Sequence, residues 1–284
     1  MDPVERVRVL AREEGAEVER EDALAVEEPL EIRIASEEGG PVSTFVTTMR
    51  TPGNDEELAA GLLFAEGVLE IRSDLRALER PSDPRIDPEL KANVLVVTLG
   101  AAAFDRAARL RRGTVMGSAC GVCGKTSIEN VIPSDRPPLT CRFTMTPELL
   151  YELPQRLRER QSLFARTGGL HAAGLFSSEG ALQEIREDIG RHNATDKVVG
   201  ACLLRGELPL SDRILVVSGR AGFEIVQKAF AAGIPVVASV SAPSSLAVAL
   251  AETGGVTLVG FLRDRRFNVY ANAERIAKNA PSRT

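Results

Sequence analysis

The chain has 284 residues, long enough for one large domain or two closely packed ones, and its 44% hydrophobic and 26% charged residues are ordinary for a folded globular protein. With 35 Lys and Arg against 40 Asp and Glu the formal charge is −5, so no overall positive field holds nucleic acid or an anionic bilayer; any anion must meet a local basic site. Trp is absent and aromatics make up 4%, which argues against stacking platforms for single strands, and the longest apolar stretch, Ala229 to Val240, is too short to span a membrane and contains Gly233 and Pro235. Neither a nucleic-acid nor a membrane partner is expected.

The first thirty residues lack the apolar block of a secretory signal and are acid-rich, so the expected address is cytoplasmic. Leu30 to Ile34 and Val42 to Met49 are β-favourable runs on either side of a Glu-Glu-Gly-Gly-Pro turn, which predicts an antiparallel hairpin. A helix follows from Asn54, with Asn54 as side-chain cap, acids Asp55, Glu56 and Glu57 in its first turn and a stop at Gly67. Pro81 to Pro88 reads as loop and Asn93 to Leu99 as a buried strand. The glycine-rich stretch from Gly113 to Lys125 is a loop, and Thr146, Pro147 and Glu148 open another helix. Beyond it, strands at Ile214 to Val217, Ile234 to Ala238 and Val256 to Leu262 alternate with helices at Ala221 to Ala232 and Pro243 to Glu252, which predicts βαβ units and a parallel sheet. The organisation reads as an α+β portion over 1–113, a mobile loop region over 114–145 and an α/β core over 146–284.

Chemistry concentrates at five places. Cys120 and Cys123 form a CxxC inside the glycine loop, where Arg111, Arg112 and Lys125 are present and no acid occurs until Glu129, an environment that favours thiolate over thiol. Zinc is the competing reading, because Cys141 continues the spacing of a four-cysteine site, but Thr144 stands where a fourth cysteine belongs. A thioredoxin-like exchanger fits less well, since Gly121 and Gly124 oppose a helix opening at the pair. Cys202, in an apolar run, reads as a small core residue. The second place is Thr167-Gly168-Gly169 with His171. A nucleobase deaminase would need Glu two residues after the histidine, and Ala173 is there instead.

The third place is the helix start at Arg191, His192, Asn193 and Lys197, where Arg191, Asn193 and Lys197 suit a phosphate or a guanine edge. Ser218-Gly219-Arg220 follows a strand and precedes a helix, and Ser239 to Ser245 repeats the arrangement after the next strand. The segment Phe261-Leu262-Arg263-Asp264-Arg265-Arg266 then puts three arginines at the end of the last apolar strand. Solvated surface charge is the bland alternative for these segments.

The ordered set GSACGVCGK, RTGGLHAAGLF, EDIGRHNATDKVVG and SGRAGFEIVQKAFAAGIPVVASVSAPSSLAV, with EEPLEIRI and MRTPGNDEELAAGLLFAEG before them, resembles the formate dehydrogenase accessory sulfurtransferase (FdhD) family from about Glu27 to about Ala271. The resemblance implies a cytoplasmic homodimer with a cytidine-deaminase-like three-layer α/β core that lacks deaminase chemistry. It implies that a cysteine desulfurase loads a persulfide on Cys120, with Cys123 as helper. The sulfur is then passed to the molybdenum of bis(molybdopterin guanine dinucleotide), the bound substrate destined for the formate dehydrogenase catalytic subunit, with GDP or GTP as partial mimics and no resident metal. The family's cofactor-contacting segment falls on Phe261 to Arg266. The alternative function is a chaperone that binds the cofactor without moving sulfur.

Overall fold

The computed structural model describes residues 2–82, 87–112, 136–140 and 143–278; Cys120, Cys123 and Cys141 lie outside the described residues. Among the described residues no helix is long and apolar enough to cross a membrane.

The chain opens with strands β1 (Val4–Glu13) and β2 (Ala16–Ala25), an antiparallel hairpin that the sequence reading did not anticipate. Strands β3 (Glu28–Ser36) and β4 (Ser43–Arg50) pair antiparallel as expected. They belong to a four-stranded sheet of order β4-β3-β6-β5, completed by β5 (Leu75–Glu79) and β6 (Val94–Leu99), in which β6 runs parallel to β3. Helix α1 (Asp55–Ala65) starts where the acids predict, but Asn54 does not cap it: the residue sits at φ 56°, its side chain makes no cap bond, and its backbone carbonyl accepts the first helical N–H, from Leu58. Asn tolerates this left-handed turn better than most residues. The buried Arg50 secures the helix start by gripping the Asp55 carboxylate with Nε and Nη2 at 2.9 and 3.1 Å. Short helices α2 (Pro88–Ala92) and α3 (Ala101–Arg112) flank β6.

The second half builds on α4 (Pro147–Arg158), whose Thr146 hydroxyl caps Leu149 N–H and whose interior accepts Pro154, and on α5 (Ser162–Thr167). Strands β7 (His171–Ser177) and β8 (Leu182–Asp188) form a hairpin that leads into α6 (Arg191–Leu204). The predicted alternation then appears as β9 (Arg213–Val217), α7 (Phe223–Ala231), β10 (Val236–Ser239), α8 (Ser245–Gly254) and β11 (Thr257–Arg263). Strand β12 (Arg266–Ala271) turns back beside β11, giving a six-stranded sheet of order β12-β11-β10-β9-β7-β8 with a parallel centre and antiparallel flanks.

Alternation along these strands sorts their side chains onto two faces. Ala173, Leu175, Leu215, Val217, Val237 and Leu258 enter a core with α6, α7 and α8, whereas Ala172, Phe176, Ile214, Val216, Val236 and Val259 enter a second one with Leu150, Leu153 and Leu157 of α4. Helices therefore cover both faces of the six-stranded sheet. The first core also contains Leu30, Ile32, Ile34, Leu95 and Val97 of the four-stranded sheet, so the 1–113 and 146–284 portions share one hydrophobic interior.

Helices α1 and α6 join the two halves through two glycines. A Cβ on Gly61 would lie 1.9 Å from the Asp196 carbonyl oxygen, and one on Gly200 would lie 1.8 Å from that of Glu57. Backbone meets backbone, so neither clash can be relieved by a rotamer change. Gly200→Ala is expected to destabilise the fold by about 3 kcal/mol or more, read as a shifted denaturant midpoint; a loss below about 0.5 kcal/mol would mean that the helices are not held at this separation.

Candidate functional site

Residues from four strands converge on one edge of the six-stranded sheet. His171 begins β7, and because β7 runs antiparallel to β9 its start lies beside the carboxyl end of β9. Ser218 fixes the junction: its Oγ accepts from Ala172 N–H at 2.9 Å and its N–H donates to the Ala172 carbonyl at 3.0 Å. The adjoining Gly219 packs closely against the site, since a Cβ there would sit 3.1 Å from His171 Nδ1 and 3.6 Å from Arg191 Cδ. The buried Ser239 hydroxyl donates to the Gly219 carbonyl at 2.7 Å, tying the loop after β10 to the loop after β9. Phe261 N–H reaches the Ser241 carbonyl at 3.0 Å, which adds the end of β11 to the row. Strand ends in such sheets are where ligands collect.

The start of α6 faces this row and divides its residues between two tasks. Asn193 and Lys197 suit a phosphate or a guanine edge by residue type, but both turn inward. Lys197 Nζ lies 2.7 Å from Asp188 Oδ2 and 3.0 Å from the Thr51 carbonyl, and Asn193 Nδ2 donates to Asp188 Oδ1 and the Met49 carbonyl. Both are buried and belong to the seam between the two halves of the chain. Arg191 and His192 stay at the ligand edge. Arg191 Nε is buried and has no hydrogen-bond acceptor among the described residues, so it is a donor suited to an incoming anion.

Both histidines are neutral at physiological pH. Burial lowers His171, and the Arg191 charge lowers it further against the opposing pull of Asp188. His192 is pushed down to about 3, first by burial and then by Arg191, Lys228, His171 and Arg220. Its Nδ1 lies 3.1 Å from Glu224 Oε2, and a neutral ring donates its Nδ1–H there. Lys228 is itself paired with the buried Asp196 at 2.7 Å, so of the cations around His192 Arg191 and the exposed Arg220 are left to meet a ligand.

A cleft of about 560 Å³ opens beside His171 and Ser218, bounded by α4, α5, Gly168, Gly169 and Val240. Gly168 ends α5 at φ 67° and lines the cleft with Gly169, whereas Thr167 is not among the lining residues and its Oγ1 donates back to the Leu163 carbonyl. The Phe261–Arg266 segment lies further along the same edge. Asp264 and Arg265 both have positive φ, 53° and 54°, and Arg263 pairs with Arg266, as in a two-residue β-hairpin turn. Arg263, Asp264, Arg265 and Arg266 are exposed, Phe261 is half-buried, and Arg265 lies over the Tyr151 ring at 5.1 Å. Leu262 is fully buried in the α4 core, so strand alternation removes it from the ligand face. Cys202 is also fully buried, and burial raises its thiol to about 11, which keeps it protonated.

Sequence reasoning missed Gln161, Glu224 and Asp188. Asp188 lies four residues before His192 and could have been found as an acid flanking a histidine, whereas Glu224 is brought to His192 only by the fold. Gln161, in the polar junction between α4 and α5, carries no local signal.

Comparison with known proteins gives a consistent result. A family model described as FdhD/NarQ family matches residues 25–277. A protein named sulfur carrier protein FdhD from Streptomyces coelicolor is 49% identical over 97% of this chain and 96% of its own length. One of the same name from Mycobacterium tuberculosis is 47% identical over 95% and 97%, and one from Sulfurisphaera tokodaii is 40% identical over 96% and 99%. The crystal structure of a formate dehydrogenase accessory protein from Desulfotalea psychrophila matches with a TM-score of 0.72 at 25% identity, covering 97% of this chain and all of that one.

His192 contributes to the response to acid. An unfolded His192 titrates near 6.5 and the folded one near 3, so between these values the unfolded chain binds more protons. Stability contributed by this group is complete above pH 6.5 and is lost progressively as the pH falls toward 3. His192→Asn is expected to flatten the fall of the denaturation midpoint across this window; an unchanged slope would show that His192 does not titrate there.

Proposed function

The chain belongs to the FdhD/NarQ family, and from that membership and the chemistry of the strand edge we propose that it is a sulfur carrier acting for formate dehydrogenase. The observation that carries this reading is the near-full-length likeness to proteins named sulfur carriers, at up to 49% identity. In detail, the Cys120 thiolate attacks the outer sulfur of a desulfurase persulfide. A new S–S bond forms to Cys120, the desulfurase cysteine leaves as thiolate, and Cys120 then holds the transferable sulfur with Cys123 as helper. The acceptor is the molybdenum of bis(molybdopterin guanine dinucleotide), held as substrate until it is passed to the dehydrogenase.

The strand edge suits such a substrate. Arg191 and Arg220 offer charge to phosphates, the two neutral histidines can accept as well as donate hydrogen bonds, and the exposed arginines at 263, 265 and 266 extend the positive surface. The pairing of that surface within a homodimer is part of the same reading. Gly168, Gly169 and Ser218 line the cleft, Thr167 precedes them at the end of α5, and Asn193 and Lys197 hold the start of α6 through Asp188.

Loading and binding should separate, because the thiols and the anion site occupy different segments. Cys120→Ala should still bind GDP while taking up no persulfide from a desulfurase and cysteine, as read by intact mass. Arg220→Ala should load sulfur normally and bind GDP roughly ten- to a hundredfold more weakly, as expected for a lost charge-assisted contact. A Cys120→Ala protein that still activated formate dehydrogenase in a strain lacking the native protein would replace sulfur transfer with the cofactor-chaperone reading.

A further inference from the structure

The sulfur-carrier reading leaves the β1–β2 hairpin without a task. The family match begins at residue 25, where the hairpin ends. Two strands of ten residues make a ribbon about 33 Å long. Its base is anchored: Val4 is buried, Val26 N–H donates to the Pro3 carbonyl at 2.9 Å, and a Cβ on Gly169 would lie 3.9 Å from Ala25 Cβ. Beyond the base every residue from Arg12 to Asp22 is exposed, and the ribbon carries Leu10, Val18 and Leu24 at 59, 50 and 45% exposure. A two-stranded ribbon standing alone in water is marginally stable, and a further strand alongside stabilises it.

Charge selects which strand fits. β2 places Glu17, Glu19, Glu21 and Asp22 against the single Arg20. Arg6 and Arg12 of β1 answer Glu21 and Glu17 across the ribbon, but Glu19 and Asp22 have no ion pair among the described residues. The open sheet edges elsewhere in the chain are β4, β5, β8 and β12. β8 carries Glu184, Glu187 and Asp188 and repels an acidic strand. The one charge of β4 is the buried Arg50, and in β5 Arg76 and Glu79 balance. β12 is the basic edge: Arg266 opens it, and Arg263 and Arg265 precede it at the turn. Only β11 is hydrogen-bonded to β12, so its outer row of N–H and C=O groups faces no strand among the described residues. Arg266 and Asn268 are exposed there, and Phe267, Val269 and Tyr270 are half-buried.

We propose that the hairpin is a dimerisation arm: the β2 edge of one copy adds to the β12 edge of a second copy, which returns the same contact about a two-fold axis. Arg263 and Arg266, like Glu19 and Asp22, have no ion pair among the described residues of their own chain, so these groups are available to meet between copies. Main-chain hydrogen bonds hold the added strand, and the opposite charges select the edge. This rests on the homodimer of the reading above and says which surface makes it. The arginine turn lies on the ligand edge, so the partner's arm completes the rim of the site.

The test is the mass of the full-length protein by light scattering and sedimentation across a dilution series. Glu19→Arg with Asp22→Arg reverses the unpaired acids of the arm, and Arg263→Glu with Arg266→Glu reverses the receiving edge. Wild type should be dimeric, and each reversed protein should dimerise at least about tenfold more weakly. An equimolar mixture of the two should recover a dimer, because each copy then offers the charge that the other requires; two misfolded chains would not. If a reversed protein does not fold, Glu19→Gln with Asp22→Asn and Arg263→Gln with Arg266→Gln remove the charges at similar volume and should weaken the dimer in the same direction. Dimers unaffected by these changes, or reversed proteins that stay apart when mixed, overturn the arm while leaving the homodimer reading intact. Wild-type protein that is monomeric at every concentration overturns both and leaves the sulfur-carrier reading standing.

Discussion

The ligand edge depends on one buried carboxylate. Asp188 is fully buried at the end of β8, where an unpaired charge would be strongly unfavourable, and it is compensated from several directions at once. Lys197 supplies the countercharge at 2.7 Å, while the N–H groups of Thr51 and Gly190 and the side chain of Asn193 donate to its two oxygens. Thr51 follows β4, Gly190 precedes α6, and Lys197 and Asn193 lie within α6. A single anion thus fixes the strand end, the helix start and the neighbouring half of the chain in one arrangement. Ile189 N–H adds to the lock by donating to the Thr51 hydroxyl at 3.2 Å.

What this arrangement positions is the pair Arg191 and His192, the first two residues of α6. With Asn193 and Lys197 drawn inward, the arginine and histidine are left facing the ends of β7 and β9. Asp188 is also directly opposite His171 in the β7–β8 register, so the same carboxylate influences the histidine across the strand pair. The close approach at Gly61 and Gly200 supports this seam from behind by letting α1 and α6 pack without intervening side chains. Precision at the edge is therefore derived from contacts well removed in sequence from the residues that meet a ligand.

That separation explains which parts of the molecule were legible in the sequence. The β9-α7-β10-α8-β11 alternation was readable because each apolar run is continuous and each boundary carries a Gly, Pro or Ser. The helix start at Arg191 and the antiparallel β3–β4 pair were readable for similar local reasons. Lys197 and Asn193 resemble ligand contacts in sequence, because residue type reveals hydrogen-bonding capacity and not direction; their backbone partners at Met49 and Thr51 lie 144 and 146 positions away, and the carboxylate they share is Asp188 at the end of β8. Leu262 was grouped with its arginine neighbours, although strand alternation sends it to the opposite side. The parallel β3–β6 pairing and the glycine crossing require long-range partners that no local pattern specifies, whereas the β1–β2 hairpin turns locally at Glu14 and Gly15 between strands too acid-rich to stand out as apolar runs. The CxxC pair was conspicuous in sequence and falls outside the described residues.

The most direct measurement is the stability of Lys197→Met protein together with its affinity for GDP. If Lys197 is the counterion of a buried Asp188, the ligand-free variant should lose about 3 to 5 kcal/mol in chemical denaturation, since the carboxylate is left without its partner. GDP binding should weaken as a consequence of the disturbed helix start. A variant with wild-type stability that has nonetheless lost GDP binding would make Lys197 a direct ligand contact and contradict the account.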